Sequence, residues 1–184
     1  QLDFDDLRLQ HHLPLDDQLR RFQVILDGAH FGRHGLDQHH PRQGVGDHRA
    51  AAFLTDQGYY SGNFCHRLTT AGIFVLQCGA PGADGTGDVG FTLPDENLPK
   101  QGEQNYPAGS VAMANRGPDT ASSQIFLVYQ DTTLPPSYSL VGTVKQGMDV
   151  VNYVAAGGVQ PGSSDASDGT PAQPIVIKTA SIEN

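Results

Sequence analysis

The sequence has no tryptophan, only two cysteines and two methionines among its 184 residues, and far fewer basic than acidic residues. The formal net charge is −9. A surface that binds phosphate backbones must be basic, so this charge argues against nucleic-acid partners. No apolar run approaches the ~20 residues of a membrane-spanning helix. We therefore expect neither a nucleic-acid partner nor a membrane segment in this stretch of chain.

Histidines are abundant only near the start, where seven of the eight lie within residues 1–50. Their spacings are joined by no cysteine or glutamate in a recognised pattern, and the HExxH motif is missing. We predict no metal site and no cofactor, and retain metal storage or sensing as a weak alternative for this segment. Residues 1–21 are expected to form an irregular extension of a single domain that spans residues 1–184.

Glycine and proline, in contrast, are plentiful, with 22 and 12 residues. They punctuate short apolar and β-branched runs, which is typical of strands joined by turns. The predicted strands are 22–26, 65–68, 73–77, 109–114, 124–129, 139–144 and 175–182. Alanine content and helical spacing predict helices at 49–58 and 147–156. Since no βαβ alternation is visible, the order indicates a closed or nearly closed antiparallel β-barrel.

The segment Cys65–Gly90 is the most informative in the chain. Two β-rich runs joined by a small polar turn predict a hairpin, which would place Arg67 and Gln77 on adjacent strands. Pointing the same way, they would form a polar spot on an apolar surface. His66 is interpreted as a hydrogen-bonded structural histidine, because neighbours on a strand face opposite sides and Cys65 and His66 cannot act as one thiol-protease pair.

The two cysteines lie at opposite ends of this hairpin. A cross-strand disulfide is geometrically conceivable, whereas two buried thiols acting as small apolar side chains are at least as well supported by sequence alone. Two glycine-rich segments are interpreted as loops. Gly85–Gly90 matches a dinucleotide-binding fingerprint, but no apolar helix follows it, and the Gly/Ser/Asp-rich stretch 157–169 is predicted to be solvated.

From about residue 50 to the C-terminus the chain resembles a cyclophilin, a peptidyl-prolyl cis–trans isomerase. The matching motifs occur in family order: GYYSG, HR, FVLQCG, GTG, DEN, MANRGPDT, SQIF and GTVKQGMDVV. The resemblance implies an eight-stranded antiparallel β-barrel closed on itself and capped by two α-helices. It does not extend over residues 1–50.

The resemblance also implies roles for individual residues. Arg67 corresponds to the catalytic arginine, Gln77 to the glutamine that orients it, and Phe74 to part of the catalytic pocket. Further members of the implied substrate site are Met113, Phe126 and Leu134 as walls of the proline pocket, Asn115 and Gln124 as polar contacts, and Gly85, Thr86 and Ala114 in a neighbouring subsite.

Two positions depart from the family pattern. Tyr138 replaces the histidine at the edge of the pocket, and the position often held by tryptophan falls near Thr133. Because the indole is a main contact for cyclosporin A in sensitive members, the resemblance implies that cyclosporin A binds weakly here.

Two functional classes remain open. The first is an active isomerase that acts on proline-containing peptides and unfolded protein clients and assists their folding. The alternative is a proline-peptide-binding or chaperone module with weak or no isomerase activity. We expect a monomer, and a cytoplasmic location is favoured over export.

Overall fold

The computed structural model describes residues 20–27, 47–87, 89–163 and 165–183. The strands are β1 (Arg20–Asp27), β2 (Cys65–Thr69), β3 (Val75–Cys78), β4 (Ser110–Met113), β5 (Ile125–Val128), β6 (Leu140–Thr143), β7 (Asp168–Gly169) and β8 (Ile175–Glu183). The helices are α1 (Asp47–Asp56) and α2 (Met148–Ala156). Both predicted helices are confirmed, and the chain is mainly β.

Six strands form an antiparallel sheet in the order β6-β4-β5-β3-β2-β7. The predicted hairpin is confirmed, since β2 pairs with β3 and Arg67 lies opposite Gln77. Gln77 in turn lies opposite Phe126 on β5. This register brings the polar hairpin residues beside an aromatic side chain from the centre of the sheet.

The remaining two strands, β1 and β8, form a separate parallel pair. A parallel pair departs from the all-antiparallel arrangement expected from the sequence. The predicted strand at 22–26 lies within β1, and residues 20 and 21 of the predicted irregular extension also belong to this strand. Residues 1–19 of that extension lie outside the described residues.

Alternation along the central strands divides the apolar residues between two clusters. In β5, Ile125 and Leu127 face the main core, whereas Phe126 and Val128 face a smaller cluster on the opposite side. Both helices cover the main core, α1 through Leu54 and α2 through Val151 and Val154. The smaller cluster is therefore left to form the floor of a surface site.

Cys65 and Cys78 form a disulfide. They are cross-strand partners at the open end of the β2–β3 hairpin, which is the arrangement that the sequence left as one of two alternatives. The interpretation as two buried thiols is wrong, because both sulfurs are consumed in this bond. The cross-link ties together the two strands that present Arg67 and Gln77.

The turn after β3 is fixed by several polar contacts around Gly79. Its amide donates to Asn63 Oδ1 at 2.6 Å, and its carbonyl accepts from Ser123 Oγ at 2.8 Å and from the Tyr59 hydroxyl at 3.1 Å. Gly79 has φ +83°, a conformation open mainly to glycine. This turn directs the chain from the hairpin into the glycine-rich loop.

In the part of the chain that the structure describes, neither helix is long and apolar enough to cross a bilayer. Six of the seven N-terminal histidines lie outside the described residues. The seventh, His48, belongs to the backbone of α1.

Removal of the disulfide by Cys65→Ala with Cys78→Ala should lower the free energy of unfolding. The two cysteines are 13 residues apart, and loop-closure entropy for a loop of this size corresponds to about 3 kcal/mol. Urea unfolding of the oxidised wild type and of the double variant measures the difference. Equal midpoints at equal slopes would contradict this expectation.

Gly79→Ala should destabilise the protein more than Gly72→Ala. Both glycines have positive φ, +83° and +75°, so both variants pay the left-handed backbone penalty of about 1–2 kcal/mol. At Gly79 a Cβ would also lie 2.5 Å from the Ser123 carbonyl oxygen and 3.0 Å from the Tyr60 ring, while at Gly72 it meets no atom within 4 Å. Thermal unfolding followed by circular dichroism compares them, and equal losses would refute the steric argument.

Candidate active site

The site is built around a hydrogen bond between two opposite residues of the β2–β3 hairpin. Arg67 Nη1 donates to Gln77 Oε1 at 3.2 Å. The two side chains point to the same face because their backbones are direct cross-strand partners. The polar spot expected from the sequence is thus confirmed.

Gln77 is held from its other side by a short relay of amide groups. Its Nε2 donates to Gln124 Oε1 at 2.7 Å, and Gln124 Nε2 donates to the carbonyl oxygen of Gly85 at 3.2 Å. Each side-chain amide uses its oxygen as acceptor and its nitrogen as donor, so the relay fixes the orientation of both amides. Arg67 consequently faces the carbonyl end of Gln77.

A second apolar cluster, called the recess below, lies next to these polar groups. The Phe126 ring packs edge-to-face on Tyr138 with centroids 5.3 Å apart, and Tyr106 lies 6.1 Å from Phe126. Leu134 packs against the same cluster at its partly exposed side, and Val75 forms part of its buried base. The sequence predicted Phe126, Leu134 and Tyr138 for this recess, and the structure brings them together.

Val75 and Tyr106 belong to the recess but were not identified from the sequence. Tyr106 lies in a loop rich in proline and glycine, where periodicity gives no signal. Its hydroxyl accepts from the Tyr138 amide at 3.0 Å and lies 3.0 Å from the Tyr138 carbonyl oxygen, to which it can donate. Burial is the largest cause that raises the pKa of Tyr106, so the phenol stays protonated and holds the segment that presents Tyr138.

Two further contacts shape this segment. Asn115 Nδ2 donates to the Ser137 carbonyl oxygen at 2.6 Å, and the Leu134 amide donates to Asn105 Oδ1 at 3.0 Å. The loop that bears Leu134 and Tyr138 is therefore connected by side-chain amides to Asn115, which follows β4, and to Asn105, which precedes it. Asn115 lies at the rim of the recess, next to Ala114, which packs against the aromatic cluster.

Three predicted site residues have other surroundings. Met113 is fully buried in the main core, because it follows the alternation of Val111 while Ala112 between them faces the aromatic cluster. Phe74 packs edge-to-face on Tyr129, with ring centroids 5.9 Å apart. Thr86 is exposed, and its amide and hydroxyl both donate to Asp84 Oδ1 at 3.0 and 2.6 Å.

A cavity of about 230 Å³ adjoins the recess. Gln77, Ala114 and Gln124 line both the cavity and the site described above, and Gly85 and His66 form part of its wall. His66 departs from the expectation of a hydrogen-bonded histidine, since its buried Nδ1 has no hydrogen-bond partner among the described residues. Burial, followed by the charge of Arg67, lowers the pKa of His66, so the ring is neutral near pH 7.

Sequence reasoning also missed Asp168, which forms an ion pair with Arg67. Arg67 Nε donates to Oδ1 at 2.8 Å and Nη2 donates to Oδ2 at 2.6 Å. The side-chain hydrogen bonds to Asp168 are the largest cause that raises the pKa of Arg67, against the opposing effect of burial. Stretch 157–169 was predicted as a solvated loop, and this prediction is wrong at its end, where Asp168 and Gly169 form β7 against β2.

Among the residues that the structure describes, no group of three or more histidine, cysteine, aspartate or glutamate side chains is placed to hold a metal ion. What the site presents is a fixed cation, two oriented amides and an aromatic recess.

Comparison with known proteins assigns this arrangement to a family. Residues 49–182 match the model of the family described as cyclophilin type peptidyl-prolyl cis-trans isomerase/CLD. The chain is 41% identical over 143 residues to a probable peptidyl-prolyl cis-trans isomerase B of Mycobacterium leprae, a match that covers 72% of this chain and 48% of that protein. The corresponding Mycobacterium tuberculosis protein is 42% identical over 141 residues, covering 71% of this chain and 45% of that protein.

Solved structures give the same result. A cyclophilin type peptidyl-prolyl cis-trans isomerase of Cryptosporidium parvum superposes with a TM-score of 0.55 at 26% identity, covering 71% of this chain and 79% of that one. A crystal structure of that cyclophilin in the presence of the dipeptide Ala-Pro gives a TM-score of 0.51 at 21% identity, covering 70% of this chain and 82% of that one.

The chain spans about half the length of the curated mycobacterial relatives that it matches. The family match nevertheless covers α2, all but the first two residues of α1, the hairpin and the recess, and it agrees with the resemblance seen in the sequence motifs. The chain has a cyclophilin-like fold and belongs to the cyclophilin-type peptidyl-prolyl cis–trans isomerase family, whose enzymes are isomerases.

Proposed function

We propose that this chain catalyses cis–trans rotation about X–Pro peptide bonds and thereby assists protein folding. The observation on which the proposal depends is the Arg67–Gln77 hydrogen bond at the edge of the Phe126 recess. A fixed cation beside an apolar pocket is the combination that amide rotation at proline requires.

The energetic problem is defined by amide resonance. The C–N bond of a peptide rotates over a barrier of about 18–20 kcal/mol, so that an X–Pro bond takes tens to hundreds of seconds to isomerise unaided. No covalent bond breaks, and no nucleophile is needed. A catalyst has only to bind the twisted amide more tightly than either planar form, and each tenfold acceleration needs about 1.4 kcal/mol of such preference.

Arg67 is the group that provides this preference. In a twisted amide the nitrogen lone pair no longer conjugates with the carbonyl, so the nitrogen becomes pyramidal and accepts a hydrogen bond. The guanidinium is permanently charged, and a charge-assisted hydrogen bond is about twice as strong as a neutral one. Gln77 directs the guanidinium, and the Gln124 relay directs Gln77.

The recess provides the place for the proline ring. Tyr138 and Leu134 are half-buried and pack with the buried Phe126 ring in one apolar cluster, and burial of a proline ring against it would exclude water from the reacting amide. Asn115, tied to Ser137, holds the end of β4 at the rim, where the family resemblance places the backbone that binds the peptide. Proline-containing peptides and unfolded protein clients are the proposed substrates.

A second function, a peptide-binding or chaperone module with little isomerase activity, is the alternative. Tyr138 at the pocket edge favours it, because this position departs from the family histidine. The cyclophilin crystallised in the presence of Ala-Pro supports a proline-peptide ligand for either function. Catalysis and binding are separated by measuring turnover and affinity on the same peptide.

For the fold, we propose that the two sheets close into an eight-stranded barrel that is antiparallel except for the β1–β8 pair. Three backbone contacts support closure: Phe64 bridges antiparallel to Val176, the Gly62 amide donates to the Ile177 carbonyl at 2.6 Å, and the Ile177 amide donates to Asn63. At the other side β1 lies beside β6.

Monomeric state and cytoplasmic location stay predictions from the sequence. The Cys65–Cys78 disulfide counts against a cytoplasmic location, because disulfides persist mainly in oxidising compartments.

Arg67→Ala should lower kcat/KM for an Ala-Pro-Phe peptide by about 10- to 100-fold, the worth of one well-directed charge-assisted hydrogen bond. A protease-coupled isomerisation assay measures the rate, and circular dichroism checks that the variant is folded. Lys178→Ala, which removes an exposed cation from β8, is the matched control and should retain wild-type activity. A folded wild type that binds the peptide without turning it over would instead support the binding-module alternative.

Cyclosporin A should inhibit the wild type only weakly, because the chain has no tryptophan and an exposed threonine, Thr133, lies near the position where the family often has one. Thr133→Trp should tighten inhibition by supplying a large aromatic contact. Inhibition constants from the isomerisation assay compare the two proteins. Nanomolar inhibition of the wild type would contradict this prediction.

A further inference from the structure

Arg67 forms side-chain hydrogen bonds on two sides, and the hairpin explains only the one to Gln77. Gln77 engages Nη1, whereas Asp168 engages Nε and Nη2 through two parallel bonds of 2.8 and 2.6 Å. A guanidinium has five N–H donors in one plane. Three are therefore committed to fixed partners, and two, one on Nη1 and one on Nη2, remain for a substrate.

The backbone explains why Asp168 reaches this position. Strand β7 pairs antiparallel with the outer edge of β2, so that Asp168 lies opposite Thr69 and Gly169 lies opposite Leu68. The Thr70 amide extends the pairing by donating to the Ser167 carbonyl at 2.8 Å. Asp168 therefore lies on the side of Arg67 away from β3. The two residues are 101 positions apart in the sequence.

The exposure of the pair indicates what the interaction contributes. The side chains of Arg67 and Asp168 are 41% and 36% exposed, and ion pairs at such exposure contribute little to folding stability. They do, however, restrict rotamers, and an arginine side chain loses more rotamer freedom on fixing than most others. A bidentate carboxylate pair also fixes the plane of the guanidinium, which a single bond to Gln77 cannot do.

The direction of that plane matters for the reaction. The aromatic recess lies on the Gln77 side of Arg67, because Gln77 is paired with Phe126 across the next strand. With Asp168 on one edge and Gln77 on another, the two uncommitted N–H groups are kept in a fixed orientation relative to the recess. Misplacement of a reacting group by about 1 Å can cost up to two orders of magnitude in rate.

We propose that Asp168 is a positioning residue for isomerisation, acting through the bidentate pair that fixes the guanidinium plane of Arg67. The proposal rests on the isomerase function proposed above. Asp168 contributes through Arg67, and the effect of its loss is on turnover rather than on substrate affinity or folding.

The test compares two aspartates of one loop. Asp168→Ala should lower kcat about tenfold with KM changed less than about twofold, as expected when an interaction is used only in the transition state. Asp168→Asn keeps one acceptor and should fall between the wild type and the alanine variant. Asp165→Ala is the control, since Asp165 bonds the amide and hydroxyl of Ser167 in its own turn, and its activity should match the wild type.

A double-mutant cycle separates positioning from a structural effect. In the Arg67→Ala background, Asp168→Ala should have no further effect on kcat, because the side chain through which it acts is gone. Exchange NMR at high enzyme concentration measures these low rates, and urea unfolding of each variant checks that stability is similar. The Arg67 Nε–H resonance, followed in the same samples, should shift in Asp168→Ala and stay unchanged in Asp165→Ala.

Other results would overturn the proposal. Wild-type kcat in Asp168→Ala would remove the role of Asp168 and leave the isomerase function intact. An equal loss in Asp165→Ala, or additive losses in the cycle, would assign the effect to the loop as a whole. A folded wild type with no activity would overturn the proposed function itself, and the catalytic role of Asp168 with it.

Discussion

The hydrogen bond from Arg67 to Gln77 is the interaction on which the rest of the site depends. It exists because the β2–β3 register places the two residues directly opposite each other, and a shift of one residue would turn Gln77 into the core. The Cys65–Cys78 cross-link at the open end of the same hairpin opposes such a shift. The fold thus protects one pairing with a covalent bond, and the catalytic proposal depends on that pairing.

The second requirement is a second apolar surface of the sheet, on the side away from the main core. Alternation in β4 and β5 meets it: Leu127 and Met113 fill the main core, while Phe126 and Ala112 are buried in the smaller cluster on the opposite face. Tyr106 then holds the loop that covers part of this surface. Stability and function are divided between the two faces of the same strands.

Local patterns were sufficient to predict much of this. The hairpin, the strand at 124–129 and both helices are encoded in short-range periodicity, and motif order indicated the family. Met113 shows where such reasoning ends, since a motif places a residue near a site but only the pleat decides which face it occupies. Asp168 was missed for a different reason: its partner is 101 positions away, and a loop rich in glycine, serine and aspartate has the composition of a solvated segment whether or not one carboxylate is bound. The sequence left the disulfide undecided because two cysteines in a hairpin fit either state.

The composition of the recess has an optical consequence. The chain has six tyrosines and no tryptophan, so its near-ultraviolet emission comes from phenols alone. Two of them, Tyr106 and Tyr138, lie 6.2 Å apart around the proposed proline pocket. Tyr138 is half-buried whereas Tyr106 is fully buried beneath it, so a ligand that contacts Tyr138 changes the surroundings of one tyrosine in six, and its binding can be followed by tyrosine emission without a label.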